Sequence, residues 1–240
     1  MATVDVDLKA LLQAGAHFGH KTSRWHPKMA QYIHSKRGDS HVIDLVQTKV
    51  GLEKALEVVV ETVAQGKQVL FVGTKKQAQN IVHELAVEVG QPFVTERWLG
   101  GMLTNWNTIG GRIKELKDLE EKMDNGELAK KYSKLEIQRF QEQIDEMNRI
   151  YGGIKNMHAR PGIVFVFDII ADDNAVREAI KLGLPIVGIT DTNADPTKVT
   201  YPVPMNDDAI KAIELLAEYA KQAVNAGKAK VKNVADKDEA

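Results

Sequence analysis

The 240-residue chain has no cysteine, which excludes disulfides and thiolate metal sites and fits a reducing compartment. No run approaches the roughly 18 apolar residues of a membrane span. The start MATVDVDLKALLQAGAH lacks the basic beginning and long apolar centre of a secretory signal. A cytoplasmic protein without membrane contact is expected. Charge of one sign is lacking too: a net charge of −1 argues against a general nucleic-acid binder, which needs clustered Lys and Arg. Spacing suggests no Ser/His/Asp arrangement, cleft of paired carboxylates or thiol nucleophile, so no catalytic set can be nominated.

What is present is unevenly placed. Between Asp7 and Asp39 there is no acid, yet Lys9, Lys21, Arg24, Lys28, Lys36 and Arg37 occur with His17, His20, His26 and His34. From Asp168 to Asp208 the balance reverses, with eight acids against Arg177, Lys181 and Lys198. Such polarisation suggests two kinds of partner surface. Aromatics make up only 6% of the chain, yet two of its three tryptophans fall in the loop-like stretch RWLGGMLTNWNT, residues 97–108.

Periodicity predicts a short helix with Leu8, Leu11 and Leu12 on one face, then mostly loop over residues 17–40 with a brief extended piece at residues 31–34. HVIDL alternates like a strand, and Thr48 is the expected cap of the helix ending at Gly66. QVLFVG, IVFVFDII and PIVGIT read as strands buried on both faces, alternating with helices, which implies a covered parallel sheet. Between them Ile109, Ile113, Leu116 and Met123, then Ile137, Phe140, Ile144, Met147 and Tyr151, mark two helices with narrow apolar seams around an NGELAK turn. That pattern predicts an inserted antiparallel coiled-coil hairpin. The expected division is an α/β body over residues 1–103 and 154–225, a hairpin over 104–153, and a mobile charged tail over 226–240.

Each motif has two uses. VLFVGTKKQAQ puts Gly73, Thr74, Lys75 and Lys76 at a strand-to-helix turn, either an anion site or a helix start capped by Thr74. The full nucleotide-loop glycine pattern is missing. His17 with His20 could hold zinc, and Asp191 with Asp195 in ITDTNADP could hold magnesium. The alternatives are packing and phosphate hydrogen bonds for the histidines and Asx turns before Pro196 for the aspartates. Trp25, beside Arg24 and Lys28, is either a stacking surface or an anchor for the loop. Two functions compete: an α/β enzyme holding a phosphorylated small molecule at the Gly73 turn, and an RNA-docked structural protein using the acid-free segment. The second is favoured, because charge and aromatics concentrate in loops.

The motifs HFGHKTSRWHPKM, HVIDL, VLFVGTKKQAQ, RWLGGMLTNW, Gly152-Gly153 and TDTNADP with NDDA run in order over nearly the whole chain and resemble the bacterial small-subunit ribosomal protein two family. The resemblance implies a non-enzymatic ribosome component: a Rossmann-like or flavodoxin-like α/β domain with a projecting coiled-coil hairpin, without a cofactor. It would bind small-subunit ribosomal RNA beside neighbouring proteins, and help to dock ribosomal protein one, which carries mRNA. Carried over by motif, the RNA-facing residues are Lys21, Arg24, Trp25, Lys28, Lys75, Lys76, Arg97 and Asn105, with Lys36 and Arg37 added from the acid-free segment. The family's commoner residue before Pro27 is Asn, where this chain has His26. Binding is expected to be electrostatic positioning without base readout. Trp98, Gly100, Gly101 and Trp106 are read as a rigid hinge that aims the hairpin, with Thr104 or Asn105 capping its first helix.

Overall fold

The computed structural model describes residues 4–157 and 159–238, with side chains described as far as residue 231. Helix α1 (Leu8–Gln13) is capped by Asp7, whose carboxylate accepts from the Lys9 N–H at 2.8 Å. Of its expected apolar face only Leu11 enters the core, and Leu8 and Leu12 stay exposed. The next stretch, expected as mostly loop, contains two strands. β1 (Phe18–Lys21) and β2 (Ile33–Arg37) flank β3 (Ser40–Ile43) in an antiparallel sheet of order β1-β3-β2. Their outward side chains are largely charged or polar and their inward faces small, so only β3 carries a visible alternation.

Helix α2 (Leu45–Ala64) is capped by Asp44, not Thr48. Thr48 lies inside the helix, fully buried, with its hydroxyl donating to the Pro204 carbonyl. Then β4 (Val69–Val72), α3 (Lys76–Glu88) and β5 (Phe93–Val94) lead into the insertion. The insertion contains α4 (Trp106–Asp124), the short α5 (Glu127–Lys131) where a turn was expected, and α6 (Lys134–Tyr151). Its seam residues Ile109, Ile113, Leu116 and Ile144 are buried, and Met123, Ile137, Phe140, Met147 and Tyr151 half-buried. A hydrogen bond from Asn148 to Glu120 (2.7 Å) joins the two long helices, and Lys155, just after α6, pairs with the same carboxylate.

Strand β6 (Ile163–Val166), helix α7 (Asp173–Lys181), strands β7 (Ile186–Thr190) and β8 (Tyr201–Pro204), and helix α8 (Ile210–Asp238) complete the body. The parallel sheet has the order β5-β4-β6-β7-β8. Counted along the chain this is 2-1-3-4-5, the flavodoxin-like order, with a topological switch between β4 and β6. Alternate residues feed two cores. Val69 and Phe71 meet α2, α3 and α8, whereas Leu70 and Val72 meet α7 and the base of the insertion. Helix α8 continues through the segment expected as a tail: Gly227 packs on Val60 and Val63, and Lys228 donates to the Val89 carbonyl at 2.6 Å. The last two residues of that expected tail lie outside the described residues.

Both edges of the parallel sheet are closed. On β8, Pro202 and Pro204 offer no N–H, and α2 lies so near that a Cβ at Gly51 would sit 2.7 Å from the Pro202 oxygen. On the far side β5 is two residues long, and the turn Gly152–Ile154 packs directly on Phe93.

Candidate nucleic-acid interface

The small antiparallel sheet gathers cations. Lys21 and Arg37 both sit opposite Ser40, from the two sides of β3, and Lys36 opposite His41. Lys21 and Arg37, both opposite Ser40, share one face of the sheet, and Lys36, one residue before Arg37, points to the other. Arg24 follows Lys21 in a one-turn helix. Lys21, Arg24, Lys36 and Arg37 are exposed and form no ion pair among the described residues. Trp25 is 40% exposed, with its ring centroid 5.4 Å from that of His41, so it anchors the loop by one part and offers another to solvent.

Two other expected RNA contacts are committed elsewhere. The Lys28 ammonium donates to Asp195 and to the Thr197 hydroxyl, each at 2.8 Å. Burial alone would raise the Asp195 carboxyl, but the Lys28 and Thr197 bonds outweigh it and hold the group well below its usual range. Asp195 also accepts from the Thr197 N–H at 3.0 Å, the expected Asx turn at Pro196. Lys75 lies 3.2 Å from Asp168, 2.8 Å from Asp207 and 2.6 Å from Asp208. Desolvation opposes its charge, and the bonds to Asp207 and Asp208 more than restore it, raising its pKa. A lysine so enclosed is not available to a phosphate. Its neighbour Lys76 is exposed and unpaired among the described residues.

The Gly73 turn is occupied from within. The Thr74 N–H and hydroxyl donate to Asp172 at 3.2 and 2.8 Å, so Thr74 does not cap α3, whose cap position is Lys75. Asp172 is 2% exposed; burial pushes its carboxyl up to about 6 against those two bonds. Asp168, Asp191 and Asp207 are buried nearby at the same end of the sheet. An incoming phosphate would meet carboxylates here, which removes the basis of the enzyme reading.

Neither metal pair expected from the sequence is assembled. The His17 ring lies against Phe18, centroids 4.0 Å apart, and burial lowers its pKa. Asp195 faces Lys28. Instead His20 meets Asp191 (Nδ1 to oxygen 3.0 Å), and the donor atoms of His20, Asp191 and Asp207 lie within 4.8 Å of one another. The Asp191 hydrogen bond raises the His20 pKa, while burial, Asp168 and Asp191 push Asp207 up to about 7. By composition this His/Asp/Asp set could ligate a divalent ion. Asp207, in the NDDA motif, is not among the metal ligands expected from the sequence. Just ahead of α8, Asn206 accepts from the Asp208 and Ala209 N–H groups.

The stretch 97–108 is fixed by a residue that sequence reading missed. Glu178 on α7 receives the Trp98 indole N–H (3.0 Å) and the Gly101 N–H (2.7 Å) on one oxygen. Its other oxygen receives the Leu103 and Thr104 N–H groups (both 3.0 Å) and the Thr104 hydroxyl (2.9 Å). Burial would raise its pKa, but the bonds from Thr104, Trp98, Gly101 and Leu103 outweigh burial and lower it. Gly101 permits the bend with φ +95°, and Gly100 is exposed. Trp98, Met102 and Leu103 are buried in the second core, with Trp106 half-buried against it. Asn105 occupies the cap position of α4, yet its side chain bonds only the Thr108 hydroxyl (3.0 Å), and Thr104 is spent on Glu178. Arg97 and Asn105 are exposed. The one signal for Glu178 was its place three residues after Ala175, on the flank of α7's buried face.

Comparison with known proteins adds the following. A sequence profile of the family described as ribosomal protein S2 matches residues 11–227. The chain is 50% identical over 212 residues to a small ribosomal subunit protein uS2 of Chloroflexus aurantiacus (strain ATCC 29366 / DSM 635 / J-10-fl), covering 88% of this chain and 89% of the relative. It is 48% identical over 212 residues to the protein of the same description from Roseiflexus sp. (strain RS-1), covering 88% and 80%. The corresponding figure for Rhodopseudomonas palustris (strain HaA2) is 47% over 224 residues, covering 93% and 67%.

Proposed function

Because the chain belongs to the ribosomal protein S2 family, we propose that it is a structural, non-enzymatic constituent of the small ribosomal subunit in the cytoplasm. It binds small-subunit ribosomal RNA through Lys21, Arg24, Lys36 and Arg37, with Trp25 beside them. The observation that carries this reading is that Lys21, Lys36 and Arg37 on one small sheet, and Arg24 in the turn after it, are exposed and form no ion pair among the described residues, inside a stretch without an acid. Neutralising phosphates releases counterions and positions the protein without reading bases. Lys76, Arg97 and Asn105 extend the contact along the body and the insertion's base. Lys28 and Lys75 serve it indirectly, by tying loops to the acidic end of the sheet.

Residues 104–153 act as a coiled-coil hairpin aimed by the hinge of Trp98, Gly100, Gly101 and Trp106, which Glu178 holds. The acidic half faces protein neighbours, among them ribosomal protein one. Replacing Arg24 and Lys36 together by Ala should leave the thermal midpoint unchanged and lower cosedimentation with small subunits. It should also make the salt dependence of RNA binding shallower by about one unit of slope per lost phosphate contact. Wild-type occupancy and an unaltered salt slope would sink the assignment.

A further inference from the structure

A groove of about 460 Å³ lies beside the basic sheet, lined by Gln31, Tyr32, Gln47, Lys54, Tyr201 and Pro202 among others. Its floor is β8 and the first turns of α2, and one wall is the turn Pro27–Tyr32, whose next residue begins β2. Lys36 therefore follows Tyr32 by four residues of extended chain, roughly 13 Å. We infer that this groove holds one unpaired nucleobase of the RNA bound by the basic sheet, a reading that rests on the RNA-binding function proposed above.

The chemistry of the lining selects that occupant. Tyr32 and Tyr201 are half-buried, each leaving part of its ring to the groove, and their hydroxyls have no partner among the described residues. Gln47 gives its amide N–H to the Gln31 carbonyl, which leaves its own carbonyl and the Gln31 amide to meet a base edge. Lys54 is exposed and forms no ion pair among the described residues, one cation suited to one phosphate. Flat aromatic faces, uncommitted amides and a single lysine at the rim are how single-stranded RNA is held when a base is turned out of its stack. The exposed apolar side chains of Val46 and Val50 on α2 would be covered by the sugar and the base edge.

The full chain would be titrated with a fluorescein-labelled single-stranded RNA ten nucleotides long and mixed in sequence, and with a duplex of equal length. Tyr32→Ala and Tyr201→Ala should each weaken single-strand binding about tenfold and leave duplex binding unchanged, since base stacking is the lost interaction. Tyr32→Phe, which keeps the ring, should bind as wild type. Single-strand binding at wild-type strength by both Ala variants, with unchanged melting, overturns the inference. In assembled small subunits, a photoreactive benzoylphenylalanine at Val50 should crosslink to RNA. Crosslinking to protein alone makes the groove a protein site and also overturns it. A Lys36→Ala/Arg37→Ala variant separates the two levels: if it loses duplex and single strand while the tyrosine variants lose neither, the basic sheet stands and the nucleobase site falls. If it binds both RNAs normally, the basic-sheet reading itself falls.

Discussion

Glu178, half-buried, and Asp172, buried, are both carboxylates set against N–H groups, yet they respond to acid in opposite ways. Glu178 has a folded-state pKa below its ordinary value, so its contribution is present above the unfolded pKa and is lost as pH falls. Asp172 is raised from 3.8 to about 6. For this group the folded state binds protons more tightly, so stability declines as pH rises from about 4 to about 6, by an amount on the order of 3 kcal/mol. Asp172→Asn keeps an acceptor for Thr74 and removes the charge. Denaturant unfolding from pH 4 to pH 7 should therefore show the variant gaining on the wild type across that window. Parallel curves for the two proteins would refute the burial argument. In Glu178→Gln the amide can satisfy the donors of one oxygen only, and its NH₂ then faces the donors of the other. A loss of about 2 kcal/mol or more is expected. Spin labels at exposed Gln138 and Asn80 should report a broader distance distribution between insertion and body.

Among the elements, α4 carries a pair of glycines that nothing in its packing demands. A Cβ at Gly110 or Gly111 would meet no atom within 4 Å, although Ile109 and Ile113 on either side are buried. Replacing each by Ala should add about 0.5–1 kcal/mol, raising the melting midpoint by roughly 2–4 °C per kcal/mol. An unchanged or lower midpoint would mean the helix needs its flexibility there. Elements with strong one-dimensional signals were legible: β4, β6 and β7 as buried apolar runs, and α6 by its apolar seam, to which the structure adds the Ser133/Glu136 capping box at its start. β1 was not, and of β2 only the start was, inside the extended piece expected at residues 31–34, because a polar strand owes its existence to its neighbour rather than to its own residues. The start of α2 was misplaced for a related reason. Asp44 and Thr48 both suit a cap, and only the pull of Pro204 on the threonine hydroxyl decides between them.

At the scale of the whole molecule, the polarised charge that suggested two separate partner surfaces is partly satisfied within the chain. Lys28 finds Asp195 at a separation of 167 residues, Lys75 finds Asp207 at 132, and Trp98 finds Glu178 at 80. The presence of the cations was readable from the acid-free gap. Which of them stay free was not, because that depends on partners brought near only by the crossover order of the sheet. The tertiary structure thus sorts one basic segment into lysines that hold the protein together and lysines that face outward.

The closed sheet edges matter most before the protein reaches its complex. A chain not yet assembled meets copies of itself and nascent polypeptides, and an unprotected strand would let each encounter extend into a growing ladder. With prolines and α2 along β8, and β5 covered at Phe93, neither edge of the parallel sheet offers such a template. The larger of the two sheets is thereby kept from seeding such a ladder.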